Sequence, residues 1–357
     1  MPDAPLARFA RLGCARHLLF IGAGLAVALG VAIARNWDAA SRVAEDAVAL
    51  REGADEARAL RSPADLREWL RQHPERGALV VWDLGADSVI TTVGLASASR
   101  PAVALPLLAP ALGVLIRPDT VRLGPNDLRR LPGIEPGASD SGAVSVAEVA
   151  RRAFRGDRAA GDALLHLAGD SAAGPPLDGL LVAWSHAARR DSLSVWLARP
   201  RETLHREAWT ISRSLRSDDA FRQSVTAGLA SRGLGLSREE QRRAAAASFP
   251  RLRADALARW IGRAAEARDP LRDAFLSIAT EPATDSLRAR GGVRLGVFGG
   301  GFPGVQSTAG VLTREDGGGR VAVLLLDDVP HAVFYHLAQT GLDVGLVLEA
   351  LDLGARP

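Results

Sequence analysis

One short stretch of the chain sets a nucleophile and a charged partner three residues apart: Ser97-Ala98-Ser99-Arg100, directly ahead of an apolar run that begins with Pro101. A serine hydroxyl attacks well only when a neighbour accepts its proton, and a helix N-terminus beside it would stabilise the oxyanion that follows. Arg100 cannot be that acceptor, because a guanidinium stays charged up to pH ~12 and offers no lone pair. It could only stabilise negative charge. Pro101 biases the residue before it away from helical angles, so a helix beginning at Pro101 would leave Ser97 outside the first turn. Two readings stay open at Ser97: a nucleophile served by an unorthodox base such as Asp157 or a histidine, or a loop or capping serine. Asp157 likewise reads either as a catalytic partner or as a turn or N-cap residue.

The rest of the composition closes off whole classes of chemistry. All 44 basic residues are arginine, so no Walker-type phosphate lysine, Schiff-base lysine or lysine base exists. The 41 acidic residues nearly cancel them, leaving a net charge of +3, and the pI of about 10.1 reflects arginine usage rather than a cationic surface. Arginines alternate with acids, which reads as solvated helix faces rather than a nucleic-acid footprint. The single cysteine, Cys14, excludes an intrachain disulfide, and the seven histidines lack metal-ligand spacing, so neither a metal nor a cofactor is expected. His166, His331 and His336 fall in helical patterns and read as packing or surface residues.

The N-terminus carries an addressing signal. Arg8, Arg11 and Arg16 precede an uncharged run from Leu18 to Ala34, about 25 Å long as a helix and close to the ~30 Å of a hydrocarbon core. Cations on the near side predict an N-terminus kept inside the cell and a remainder that is exported. The run serves either as an uncleaved single-pass anchor or as a signal cleaved near Ala34, where Ala32-Ile33-Ala34 has small-x-small spacing. Gly22, Ala26 and Gly30 could bring two such helices together. Val43, Ala47, Leu50, Ala54 and Ala57 then follow heptad-like spacing, which reads as a helical stalk or a packing helix, with weak homodimerisation as one use.

The elements that must position Ser97 follow. Ser62-Pro63 is a helix start, with Leu66, Trp69 and Leu70 on one face. Gly77 to Leu84 and Ser88 to Gly94 read as an antiparallel hairpin across a Gly-Ala-Asp turn. Ser145 with Glu148 has capping-box spacing and opens a helical segment running to Asp170. The middle, from about Leu177 to Leu287, is helical. Val293–Phe298, Val305–Thr313 and Arg320–Leu326 look like three strands, followed by one helix from His331 to Leu353. Strands at both ends around a helical middle imply an α+β fold: an antiparallel sheet flanked by helices, plus an all-helical lobe.

This order resembles the class A serine β-lactamase and penicillin-binding-protein superfamily from about Ser62 to Leu353. Leu95 to Leu108 resembles the segment with the nucleophilic Ser-x-x-Lys, Val144 to Gly169 the segment that carries Ser-Asp-Asn, and Gly296 to Asp328 the Lys-Thr-Gly strand with the hairpin after it. The chemical letters are replaced: Ser97-Ala98-Ser99-Arg100, Gly156-Asp157-Arg158 and Phe298-Gly299-Gly300 stand in their places. The resemblance thus implies catalytic positions at Ser97, Arg100 and Asp157, and substrate-binding positions at Phe298, Gly299, Gly300 and Gly301. Phe298 replaces a cation, and Arg294, about 13 Å away on the same strand face, is too distant to stand in. For the deacylating glutamate only Glu202 and Glu207 are near in sequence.

The expected organisation is therefore a cytoplasmic tail and membrane segment (1–37), a helical stalk (38–61) and a β-lactamase-like domain (62–357), with its sheet lobe at 62–95 and 290–357 and its helical lobe at 96–289. The expected function is an exported, membrane-tethered module of the cell envelope, periplasmic or extracellular, that has lost acylation and serves in binding or scaffolding. Its partners would be peptidoglycan, a β-lactam-like ligand or another envelope protein. The alternative is an active serine hydrolase on a β-lactam, a peptidoglycan peptide or an ester.

Overall fold

The computed structural model describes residues 47–116, 122–123, 128, 143–155, 157–169, 174–189, 193–267, 271–278, 281–282, 292–314 and 318–352. The apolar run from Leu18 to Ala34, Cys14 and most of the heptad-like segment lie outside them. Among the described residues no helix is long and apolar enough to cross a membrane.

From residue 49 onward the chain forms one unit built on a six-stranded antiparallel sheet. Its strands are β1 (Gly77–Asp83), β2 (Ser88–Gly94), β7 (Glu281–Pro282), β8 (Gly292–Phe302), β9 (Val305–Arg314) and β10 (Gly319–Leu326), in the spatial order β2-β1-β10-β9-β8-β7. The early hairpin is thus completed by the C-terminal strands, as the alternation predicted: β1 pairs with β10 in register Val80↔Val323. Both faces of the inner strands β1, β10 and β9 are buried, because alternate residues feed two cores. Ala78, Val80, Trp82, Val321, Val323, Leu325 and Phe298 point to one core. Leu79, Val81, Val93, Ala322, Leu324 and Leu326 point to the other.

The second core is closed by helices from the two ends of the unit. Α-helices α1 (Ala54–Ala59) and α2 (Pro63–Gln72) come from the front, and a C-terminal pair from the back. Ser62 caps α2 by accepting from the Asp65 N–H, and Leu66, Trp69 and Leu70 are buried, so the sequence reading of this helix holds. Of the described heptad-like positions, Ala57 is buried in this core beside Leu60, while Ala47 and Leu50 are exposed. The single C-terminal helix expected from His331 to Leu353 is instead two, His331–Thr340 and Leu342–Asp352. Gly341 takes φ 65° between them, and its N–H closes the first helix on the Leu337 carbonyl.

The other face carries α3 (Leu108–Leu115), α4 (Val146–Phe154), α5 (Arg158–Ala168) and, further on, Ala254–Glu266 and Leu271–Ile278. Ser145 caps α4 through the Glu148 N–H, but the helical run stops at Phe154 and restarts at Arg158, with Asp157 as the new N-cap. A third core, around Trp184, Phe249 and Phe302, joins α6 (Leu177–Arg189), α7 (Leu193–Leu197), α8 (Arg201–Ser217) and α10 (Arg238–Ser248) to the end of the sheet, and α9 (Asp219–Arg232) packs Val225 and Leu229 against Val182 of α6 and Leu215 of α8. The helical lobe is not wholly helical. It contains two short antiparallel pairs, β3 (Ser99–Pro101) with β6 (Arg251–Arg253), and β4 (Arg122–Leu123) with β5 (Val144–Ser145).

Candidate functional site

The stretch after β2 runs differently from the helix expected at Pro101. Leu95–Ala98 form a turn in which the Ala98 N–H bonds the Leu95 carbonyl, and Ser97 is exposed on it. Ser99–Pro101 then pair with β6, so Pro101 ends a strand. Arg100 is 3% exposed and its guanidinium points back to the start of β1, where it donates to the carbonyls of Pro74, Glu75 and Gly77. Burial pulls its pKa down, while Asp327 nearby pulls it up. Its charge is used to gather three carbonyls, which is a structural duty.

The helix begins only after Ala104. The Ala102 N–H bonds the Pro250 carbonyl at 2.9 Å, and the Val103 N–H bonds Ser307 Oγ at 3.0 Å. Ala104 then sits at φ 59°, ψ −46°, with the Leu105 N–H reaching back to the Val103 carbonyl at 2.7 Å. That is a γ-turn of the rare, strained hand, and an alanine has no intrinsic reason to adopt it. A 3₁₀ turn, Leu105–Leu107, and α3 follow directly. Pro106, inside the first helical turn, is the sequence signal for this start, and Pro101 is not.

This strained turn borders a cavity of about 100 Å³ between α5, the Phe249-Pro250 corner and the end of β8. Gly300 faces Ala104 so closely that a Cβ on Gly300 would lie 3.0 Å from the Ala104 methyl. Leu107, three residues beyond Ala104, also lines it, as do Asp157, Arg158 and Gly301. Asp157 is held by its capping bond to the Ala160 N–H at 3.2 Å. Asp162 on the wall is 4% exposed, and its carboxylate accepts from the N–H groups of Leu177 and Asp178 at 2.6 and 2.9 Å, capping the helix that starts there. Among the described lining residues none carries a hydroxyl, thiol, amine or imidazole.

Of the residues singled out in the sequence, Asp157, Gly300 and Gly301 therefore converge on one cavity, while Ser97, Arg100, Phe298 and Gly299 do not line it. Phe298 is fully buried in the sheet core, with ring centroids 5.3 Å from Phe154 and 5.6 Å from Phe275. Glu207 is engaged elsewhere, accepting from Arg199 at 2.7 Å and from the Trp196 indole at 3.0 Å. His336 bonds the Leu60 carbonyl at 2.6 Å and His331 is fully buried, as packing residues. No group of three or more metal-ligating side chains occurs among the described residues. The residues missed in the sequence are Ala104 and Leu107, which stand seven positions beyond Ser97 and Arg100.

No protein-family model matches the chain, and no curated protein does. Among solved structures it is similar to L2 complexed with relebactam, at 16% identity and a TM-score of 0.46, over 83% of this chain and 97% of that one. It is also similar to a β-lactamase from Chitinophaga pinensis at 14% identity and TM-score 0.40, over 79% and 98% of the two chains. A PBP-A variant determined as an acyl-enzyme with penicillin G gives 14% identity and TM-score 0.40, over 81% and 97%.

Proposed function

We propose that the protein is a non-acylating binding module of the cell envelope, built on a β-lactamase-like architecture and tethered or exported through its N-terminal apolar run. The observation that carries the first part is the strained turn at the cavity mouth. It sets Ala104 on the cavity rim at the start of a 3₁₀ turn that runs into α3, where the helix dipole favours negative charge. Yet the side chains there are the Ala104 methyl and, three residues on, the Leu107 isobutyl group. A nucleophile and its base would have to occupy these two positions, and a lost base alone costs about 10² to 10⁴ in rate. With the nucleophile gone as well, no acyl-enzyme forms. What the cavity keeps is apolar surface and the Asp157/Arg158 rim, which suits capture of a ligand or partner side chain.

The test is direct. The purified chain is incubated with a fluorescent penicillin and read by gel fluorescence and intact mass. No covalent adduct is expected. A penicilloyl adduct on Ser97 or any other serine overturns the reading in favour of an active serine hydrolase. Location is tested separately by fractionating cells that express the chain with and without residues 18–34: the full chain is expected with the membrane or outside it, and the truncated chain inside.

A further inference from the structure

We propose a second ligand site, on the helical lobe, for a small anionic sugar. One stripe of α8, Glu202, His205, Arg206, Trp209 and Arg213, repeats at helical spacing and faces His166 and Gly169 at the end of α5. Together they line a pocket of about 580 Å³, within the size range of small-molecule sites.

Each wall asks for a different part of such a ligand. Arg206 and Arg213 are exposed, and among the described residues no ion pair or side-chain hydrogen bond engages their guanidinium groups, so two forks are open to an oxyanion. The histidines supply acceptors. His205 Nε2 lies 2.7 Å from the Ser248 carbonyl and must donate to it, which leaves Nδ1 as a bare lone pair. His166 Nε2 lies 2.8 Å from Ser212 Oγ, whose hydroxyl bonds Asp178. Ser212 Oγ thus occupies His166 Nε2 and leaves Nδ1 of that ring for a second hydrogen bond. Burial, with Arg216 and Arg213 nearby, lowers the His166 pKa to about 4, so the imidazole is neutral at pH 7. Trp209 has its indole N–H committed to the Gly174 carbonyl at 3.2 Å and its ring edge-to-face with His166 at 5.1 Å, which fixes a flat apolar wall. Cations for an acid group, lone pairs for hydroxyls and an aromatic platform for a ring face describe one ligand class: a monosaccharide bearing a phosphate or carboxylate.

The full chain is titrated by calorimetry with glucose 6-phosphate and with glucuronate, and with glucose and inorganic phosphate as the separated halves. Saturable binding of at least one acidic sugar, tighter than either half, is expected; the tighter of the two acids identifies the oxyanion. The double variant R206A/R213A is expected to lose at least about tenfold in affinity with an unchanged far-UV spectrum, and R206K/R213K to recover part of it. Absence of saturable binding by both acids, equal binding of neutral glucose, or full affinity in R206A/R213A overturns the proposal. None of these outcomes bears on the cavity beside Ala104.

Discussion

Ser97–Arg100 and Ala104–Leu107 are two four-residue stretches on one short piece of chain, and they divide between them what a catalytic motif needs together. The first has the chemical letters and no site: its serine lies on an exposed turn and its arginine is folded inward onto three carbonyls. The second has the site and no letters: a strained turn, a helix start and a cavity, furnished with methyl and isobutyl groups. Backbone geometry at this turn is held by long-range contacts, to Pro250, Ser307 and Gly300, and so does not depend on which side chains it presents.

Four substitutions test that division. The largest effect is expected for Arg100→Ala, which strips three carbonyls of a charged donor in a buried place. A loss of about 2–4 kcal/mol in urea-monitored stability follows, and a neutral result would remove the structural role given to Arg100. Gly300→Val drives a branched side chain into Ala104 and Val103, the nearest atoms lying at 3.0 and 3.3 Å. An overpacking cost of about 1–3 kcal/mol is expected by the same assay, with a smaller cavity. Ala104→Gly should act in the opposite direction. A glycine adopts φ 59° without strain, so a net gain of about 0.5–1 kcal/mol is expected after its extra chain entropy is counted. A loss there would mean the turn is unstrained. The smallest effect belongs to Ser97→Ala, within about 0.5 kcal/mol and without change in any ligand affinity.

The sheet was legible in the sequence because alternation and turn residues are local signals. The hairpin from Gly77 to Gly94 and the three C-terminal strands came from period-two patterns, and Ser62, Ser145 and Asp157 are N-caps because short polar side chains ahead of helical runs have little else to do. The cavity was half legible. Asp157, Gly300 and Gly301, singled out by their position in the resemblance, line it, but Ser97 does not, because two prolines compete as helix starters and the later one opens the helix. What decides between them is the pairing of Ser99–Pro101 with Arg251–Arg253, a partner in the far half of the chain that no local window contains. The break at Gly341 is a similar case in miniature: a glycine within a helical pattern signals either tolerance or a stop, and only the αL angle decides.

Because consecutive amides at 102 and 103 are tied in opposite directions, one to the corner that follows α10 and one to a strand of the central sheet, the cavity lip is clamped between both halves of the domain. Any widening that parted those halves would free both protons in a single event. Their hydrogen–deuterium exchange should therefore be slow and closely matched, a paired clock that reports opening of the molecule without any ligand being known.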